Sequence, residues 1–208
     1  MNQLTLSDED QKLVDDYLST LVAVPHNTTR LFAIGFIGLP GTGKSTVADM
    51  LQARIGLPVS RNDQIRRYLN RLGFQGASPK QELMRDFAEL RTAWYYRHQT
   101  SAIVDANFTE QWQRSQKLAA DFGATLLLIR ISCNEHEALR RIDARLRAGD
   151  GSGSSQGDRE AYMRAIKQLC ENPIPDTEIF FQIDTQQPLD SQLDRLVARL
   201  RQDGYVEE

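Results

Sequence analysis

The sequence predicts an α/β fold: a three-layer sandwich in which a five-stranded parallel sheet carries helices on both faces. Two observations predict it. Five short apolar runs alternate with helix-like stretches, and a glycine-rich loop separates the first run from the helix that follows it. A parallel strand covered on both faces reads as a continuous apolar run. LFAIGFIG, residues 31–38, reads that way.

Residues 1–29 are expected to form an N-terminal helical extension ahead of a domain spanning 30–208. Ser7 stands where a helix cap belongs, with Asp10 three residues on. Leu13, Val14, Tyr17, Leu18 and Leu21 then recur at helical spacing until Pro25. After the strand at 31–38, further strands are expected at 57–60, 102–105, 124–131 and 179–184. Helices are expected at 44–55, 64–72, 79–99, 110–122, 135–148, 159–171 and 189–203. Ser78 before Pro79 and Thr109 before Glu110 supply good helix-start chemistry. The one low-complexity stretch is GDGSGSSQGD, residues 149–158.

At 208 residues, 40% hydrophobic and 25% charged, the chain can bury one sizeable core. Its net charge of −3 gives no general attraction to nucleic acid or anionic lipid. No apolar stretch approaches the roughly 20 residues that cross a bilayer, and the acidic start MNQLTLSDEDQKLVDDY lacks a signal pattern. Cys133 and Cys170 have no metal spacing, nor do His26, His98 and His136. The expectation is a cytoplasmic protein with reduced thiols.

Gly38-Leu39-Pro40-Gly41-Thr42-Gly43-Lys44-Ser45 fits G-x-x-x-x-G-K-[ST] between a strand and a helix. Glycines let the backbone curl until several N–H groups face phosphate oxygens, and the helix beginning near Lys44 adds its positive end. Lys44 can reach the β- and γ-phosphates, and the Ser45 hydroxyl can ligate Mg²⁺. Gly38, Pro40, Gly41, Thr42, Gly43, Lys44, Ser45 and the following Thr46 are therefore the expected ATP site of a P-loop NTPase. The plainer alternative is a glycine-rich turn with an incidental lysine; a chance match in a chain this long is on the order of one in a hundred. No N-K-x-D guanine-reading segment occurs. Asp105, at the end of the third apolar run, stands where a metal-side Asp belongs, but Ala106 follows it in place of a water-orienting glutamate. That disfavours a hydrolytic motor and favours another attacking group.

Ligands of open α/β sheets gather at the carboxyl ends of the strands. Two segments there draw attention: Ser60-Arg61-Asn62-Asp63-Gln64-Ile65-Arg66 and Asp105-Ala106-Asn107-Phe108-Thr109. A kinase needs a carboxylate within reach of the acceptor hydroxyl. Asp63 suits that role, with Arg66 one turn on; the alternative is that Asp63 caps a helix starting near Gln64 and Arg66 is a solvated surface arginine.

With these motifs in hand, residues 31–185 resemble the P-loop kinase superfamily, in particular the polynucleotide 5′-kinase and zeta-toxin-like group of ATP-dependent phosphotransferases. In that group an Asp and an Arg three residues later follow the second strand, matched by Asp63 and Arg66. A D-x-N segment follows the third strand, matched by Asp105 and Asn107, with an arginine on the next helix, matched by Arg114. The resemblance implies Asp63 as general base, Arg66 on the acceptor side, and Asp105 near the metal and phosphates; Asn107 and Arg114 join the substrate side.

Such kinases carry a lid whose arginines close on the transferring phosphate. Arg140, Arg141, Arg145 and Arg147 share one helix running into the glycine- and serine-rich stretch, which marks a lid over about 140–160. Residues 141 and 145 share a face. Arg145, then Arg141, are the expected phosphate contacts; the bland alternative is a charged helix face followed by a loose loop.

The acceptor is less legible. Arg61, Arg66, Arg67 and Arg71 cluster around Asp63 and could receive an anionic molecule. Trp94, Tyr95 and Tyr96 are stacking candidates, though at least two of them are expected in the core, since Leu83, Phe87, Leu90 and Trp94 share helical spacing. A small nucleoside, sugar or antibiotic-like alcohol is favoured over a nucleic-acid 5′-end. A regulatory ATPase or nucleotide switch, docking a partner through the N-terminal helix, and a nucleotide-binding protein without catalysis are the competing readings. Oligomeric state is not legible in the sequence.

Overall fold

The architecture of the computed structural model follows from five strands: β1 (Phe32–Ile37), β2 (Val59–Arg61), β3 (Ala102–Asn107), β4 (Thr125–Ser132) and β5 (Ile179–Asp184). They form one parallel sheet in the order β2-β3-β1-β4-β5. The structure describes residues 6–23, 28–73, 78–107, 112–148 and 159–207. The expected low-complexity stretch 149–158 and the helix start at Thr109–Glu110 lie outside the described residues.

All six residues of β1 are buried, which its position at the centre of the sheet requires. Alternate side chains serve two cores. Phe32, Ile34 and Phe36 join Val47, Ala48 and Leu51 of α2 (Lys44–Ile55) and Leu193, Leu196 and Leu200 of α8 (Leu189–Gln202). Ala33 and Ile37 face the other way. They meet Ala93 and Tyr96 of α4 (Ser78–Arg97) and Leu118 and Ala119 of α5 (Trp112–Asp121). Helices therefore cover both faces, as predicted.

The N-terminal helix α1 (Asp8–Leu18) is capped by Ser7, whose hydroxyl oxygen accepts from the Asp10 N–H at 3.1 Å. Val14 and Tyr17 on α1 share a buried cluster with Ile65 and Leu69 of α3 (Asn62–Arg71) and Leu83 and Phe87 of α4. The buried stripe of α4 runs Leu83, Phe87, Arg91, Tyr95 rather than the expected Leu83, Phe87, Leu90, Trp94: it takes in a fully buried arginine and leaves Leu90 and Trp94 only partly buried.

Strand β2 begins two residues later than expected. Pro58 lacks an N–H and contributes only its carbonyl, which accepts from the Ile103 N–H at 2.9 Å. Helix α3 in turn starts at Asn62 rather than Gln64, which puts Asp63 inside its first turn. The remaining helices are α6 (Glu135–Arg147), which packs Ala138 and Ile142 under the loop residue Leu39, and α7 (Arg159–Glu171).

Candidate active site

The loop after β1 takes the shape that its glycines permit. Gly41 has φ +81°, and a β-carbon there would collide with the Ala138 carbonyl of α6. Gly43, at φ +95°, caps α2 with no side chain between the helix end and the space before it. The Thr42 hydroxyl donates to the Leu39 carbonyl at 2.8 Å and closes the turn. Lys44 Nζ donates to the Gly38 and Leu39 carbonyls at 2.8 and 3.0 Å. Burial drives its pKa down to about 8; the charge of Arg145 pushes the same way, while Asp105 and Cys133 oppose it. Lys44 as a whole residue is partly accessible. Pro40 is partly buried, and Ser45 and Thr46 are exposed at the start of α2.

Asp105, at the carboxyl end of β3, is the other fixed point. Its side chain is 10% exposed. Burial raises its pKa, and Asp63 adds to the rise; a hydrogen bond with Ser45 and the charges of Arg61 and Lys44 counter it. A hydroxyl and a carboxylate oxygen thus face one another beside the loop. This donor set suits Mg²⁺, a hard cation that takes one or two protein oxygens and completes its shell with phosphate and water.

Arg61 crosses the strand end rather than joining the acceptor-side patch expected for it. It pairs with Asp49 on α2 and lies 3.6 Å from Asp105. Arg67 and Arg71 also leave that patch: both are exposed, on the side of α3 away from its buried Ile65 and Leu69. Only Arg66 of the four remains, ion-paired with Asp63. Asp63 is not the cap of α3, because the helix begins before it and Arg61 holds the cap position. The junction is fastened from behind by Arg91, which donates to the Arg61 carbonyl at 2.7 Å, to Asn62 Oδ1 at 3.1 Å and to the Tyr17 hydroxyl at 3.2 Å. No sequence signal marks a buried arginine of this kind.

The arginines of α6 divide. Arg141 donates to the Gly41 carbonyl at 3.4 Å and to Thr185 Oγ1 at 2.8 Å, and is held by Glu137. Arg145, one turn on, is exposed and its charge is felt at Lys44. Arg140 pairs with Glu137, and Arg147 turns back to the Asp143 carbonyl. Arg140 and Arg141 hold the Glu137 carboxyl down at a pKa of about 2. Thr185, just past β5, donates to the Thr42 carbonyl at 2.8 Å and ties the loop to a second strand end. Sequence reasoning missed Thr185 and Glu137, since neither lies in a recognisable motif.

Away from the loop, a cavity of about 450 Å³ opens between α4 and α5 against the sheet. Arg66 and Arg114 line it, as do Asn62 and Ala106 from the strand ends; Arg114 is paired with Glu89 at 2.5 Å. The Asn107 side chain lies outside the described residues. Tyr95 and Tyr96 are core residues, and Trp94 stacks on His98 with centroids 4.0 Å apart.

Comparisons with known proteins agree with this geometry. The AAA_33 family, described as an AAA domain, matches residues 34–173, well over half of the chain. No match is found among curated proteins. Among solved structures, a candidate kinase from Chloroflexus aurantiacus J-10-fl superposes with a TM-score of 0.63 at 20% identity, covering 84% of this chain and 98% of that one. The APS kinase of Mycobacterium tuberculosis, solved with AMPPNP and APS, gives 0.54 at 20% identity over 83% and 98%. A gluconokinase from Sinorhizobium meliloti 1021 gives 0.55 at 16% identity over 86% and 95%. At these identities the likeness establishes the fold. With the family match, the glycine loop and this sheet order together, the chain belongs to the AAA_33 family and has the P-loop kinase fold.

Proposed function

We propose that this chain is a cytoplasmic, ATP-dependent kinase that transfers the γ-phosphoryl group to a hydroxyl of a small-molecule acceptor. One observation carries the reading. Two carboxylates, Asp63 and Asp105, stand at adjacent strand ends beside the loop, and only Asp105 engages Ser45. That asymmetry supports two roles: Asp105 with Ser45 on the metal side, Asp63 on the acceptor side.

In the proposed reaction the loop amides and Lys44 hold the β- and γ-phosphates. Ser45 and Asp105 would hold Mg²⁺, which would supply positive charge against the phosphate oxygens. Asp63 takes the acceptor O–H proton as that oxygen bonds to the γ-phosphorus and the bond to the ADP oxygen breaks. Arg145 and Arg141 stabilise the charge that spreads over the transferring group, and Arg66 sets the position of Asp63 and meets the acceptor. A bounded cavity of about 450 Å³ suits a small molecule better than a polynucleotide end.

The test is a screen of hydroxyl acceptors with γ-labelled ATP, followed by Asp63→Asn on the best acceptor. Transfer is expected to fall by about 10²- to 10⁴-fold with Mg·ATP binding unchanged. Full transfer by Asp63→Asn would remove the base assignment. Slow hydrolysis without any acceptor would favour the regulatory ATPase instead.

A further inference from the structure

Within the cavity between α4 and α5, charge is distributed unevenly. Three guanidiniums line it, Arg66, Arg85 and Arg114, against one carboxylate, Glu89. Arg66 and Arg114 already have carboxylate partners, whereas Arg85 forms no ion pair among the described residues. Three guanidiniums against two partners leave a net positive mouth, and a guanidinium is the side chain best shaped to receive a planar anion.

Deeper in, the lining turns apolar where the sheet forms the floor, with Val104 and Leu126 among the residues there. Tyr96 also lines the cavity. It is 1% exposed, and its hydroxyl is fully buried, with no hydrogen-bond partner among the described residues, so that atom is not reached from the cavity. The cavity thus offers an anion-receiving mouth and an apolar middle.

We infer that the acceptor is a small organic anion with an apolar body: its anionic group meets Arg66, Arg85 and Arg114, and its body lies between α4 and α5. This rests on the kinase reading and narrows it. Uncharged sugars and nucleosides are thereby disfavoured, since they would leave the guanidiniums unmatched. The size of the space agrees with a ligand of a few rings or fewer.

The experiment uses the full chain and two fluorescent probes that share a ring system. One is 8-anilino-1-naphthalenesulfonate, which carries a fixed negative charge; the other is the neutral N-phenyl-1-naphthylamine. Saturable binding of one sulfonate per chain in the presence of saturating Mg·ATP is expected, at least about tenfold tighter than the neutral probe. Ser115→Trp, which fills the cavity from α5, is expected to abolish it. Arg85→Ala and Arg114→Ala, on exposed positions whose truncation should leave the fold intact, are each expected to weaken it severalfold.

Equal affinity for the two probes, no saturable binding, or binding indifferent to Ser115→Trp and both arginine variants would each overturn the inference. Titration of the same preparations with Mg·ATP separates the two levels. Nucleotide binding without probe binding overturns the anionic acceptor and leaves the kinase; loss of both overturns the kinase reading as well.

Discussion

Around the phosphate loop, polar groups are tied to one another. Lys44 sits on two carbonyls, Thr185 bridges to Thr42, and Arg141 spans Gly41, Thr185 and Glu137. Between α4 and α5 the ties are looser: Arg66 and Arg114 are ion-paired, but Arg85 has no ionic partner among the described residues. The first region is cross-linked from two strand ends and helix α6 before any ligand arrives, which is what preorganised stabilisation of a transferring phosphate requires. The second leaves one guanidinium of its lining, Arg85, open to a ligand. In this fold, rigidity belongs to what every phosphoryl transfer shares, and open valences belong to what distinguishes one acceptor from another.

The largest expected effect breaks the contrast from the donor side. Lys44→Ala removes the one ammonium in the loop and should lower Mg·ATP affinity by about 10²-fold or more, read by titration with a fluorescent ATP analogue. Gly41→Ala should do comparable damage without touching charge, because a β-carbon there meets the Ala138 carbonyl and the backbone has φ +81°. By contrast, Ser115→Trp and Arg114→Ala should leave Mg·ATP affinity within about twofold, since the cavity they line includes no residue of the loop. An acceptor-side change that lowered nucleotide affinity tenfold would show that the two regions are one coupled unit.

A second prediction concerns the seam between them. Arg91 fastens the β2–α3 junction and the N-terminal helix together with three hydrogen bonds from a fully buried guanidinium. Arg91→Met leaves the Arg61 carbonyl and Asn62 Oδ1 without their donor and should lower unfolding stability by about 2–4 kcal/mol, read by chemical denaturation. Tyr17→Phe removes one of the three bonds and should cost about 1 kcal/mol. If Arg91→Met were neutral, α1 and the Asp63 turn would be held by packing alone.

The same division explains what the sequence disclosed. The glycine loop, Lys44, Ser45 and the helix after them form one continuous segment, so local backbone chemistry carries the signal and the structure has the expected shape there. The sheet was legible too, because strands buried on both faces read as unbroken apolar runs. Arg61 misled: beside Arg66 in sequence it suggested one acceptor patch, but a strand end and a helix turn send consecutive side chains to opposite sides of the carboxyl edge. Arg85, Glu89 and Tyr96 carry no motif. They converge with Arg114 only because α4 packs beside α5, and no local pattern encodes that meeting. Arg91 was hidden for a related reason, since periodicity marks a buried position only when it is apolar.

A third prediction is a pH dependence on the donor side. In the folded protein the Lys44 pKa lies at about 8, below its ordinary 10.5. The charged form is therefore disfavoured in the empty loop. That cost is fully present below about pH 8 and fades as pH rises toward 10.5, so this group makes stability increase with pH across the window. A triphosphate reverses the preference by favouring the ammonium. Above pH 8, nucleotide binding should take up close to one proton, and affinity should fall by up to about tenfold per pH unit. Calorimetric titration at pH 9 in two buffers of different ionisation heat measures the uptake. Lys44→Met should abolish it, and absence of uptake in the unaltered protein would mean that the lysine is not desolvated by the loop.

The smallest expected effect sharpens the contrast from the acceptor side, and its sign is its value. In the unliganded protein the Tyr96 hydroxyl is buried without a partner among the described residues, so it costs stability rather than adding to it. Tyr96→Phe keeps the ring against Phe122 and removes only the orphan. It should therefore raise unfolding stability, by up to about 1 kcal/mol, where most buried substitutions lower it. Differential scanning calorimetry of the unliganded chain reads the change as a rise of a few degrees or less in Tm. A Phe variant that was less stable would mean that ordered water already satisfies the hydroxyl.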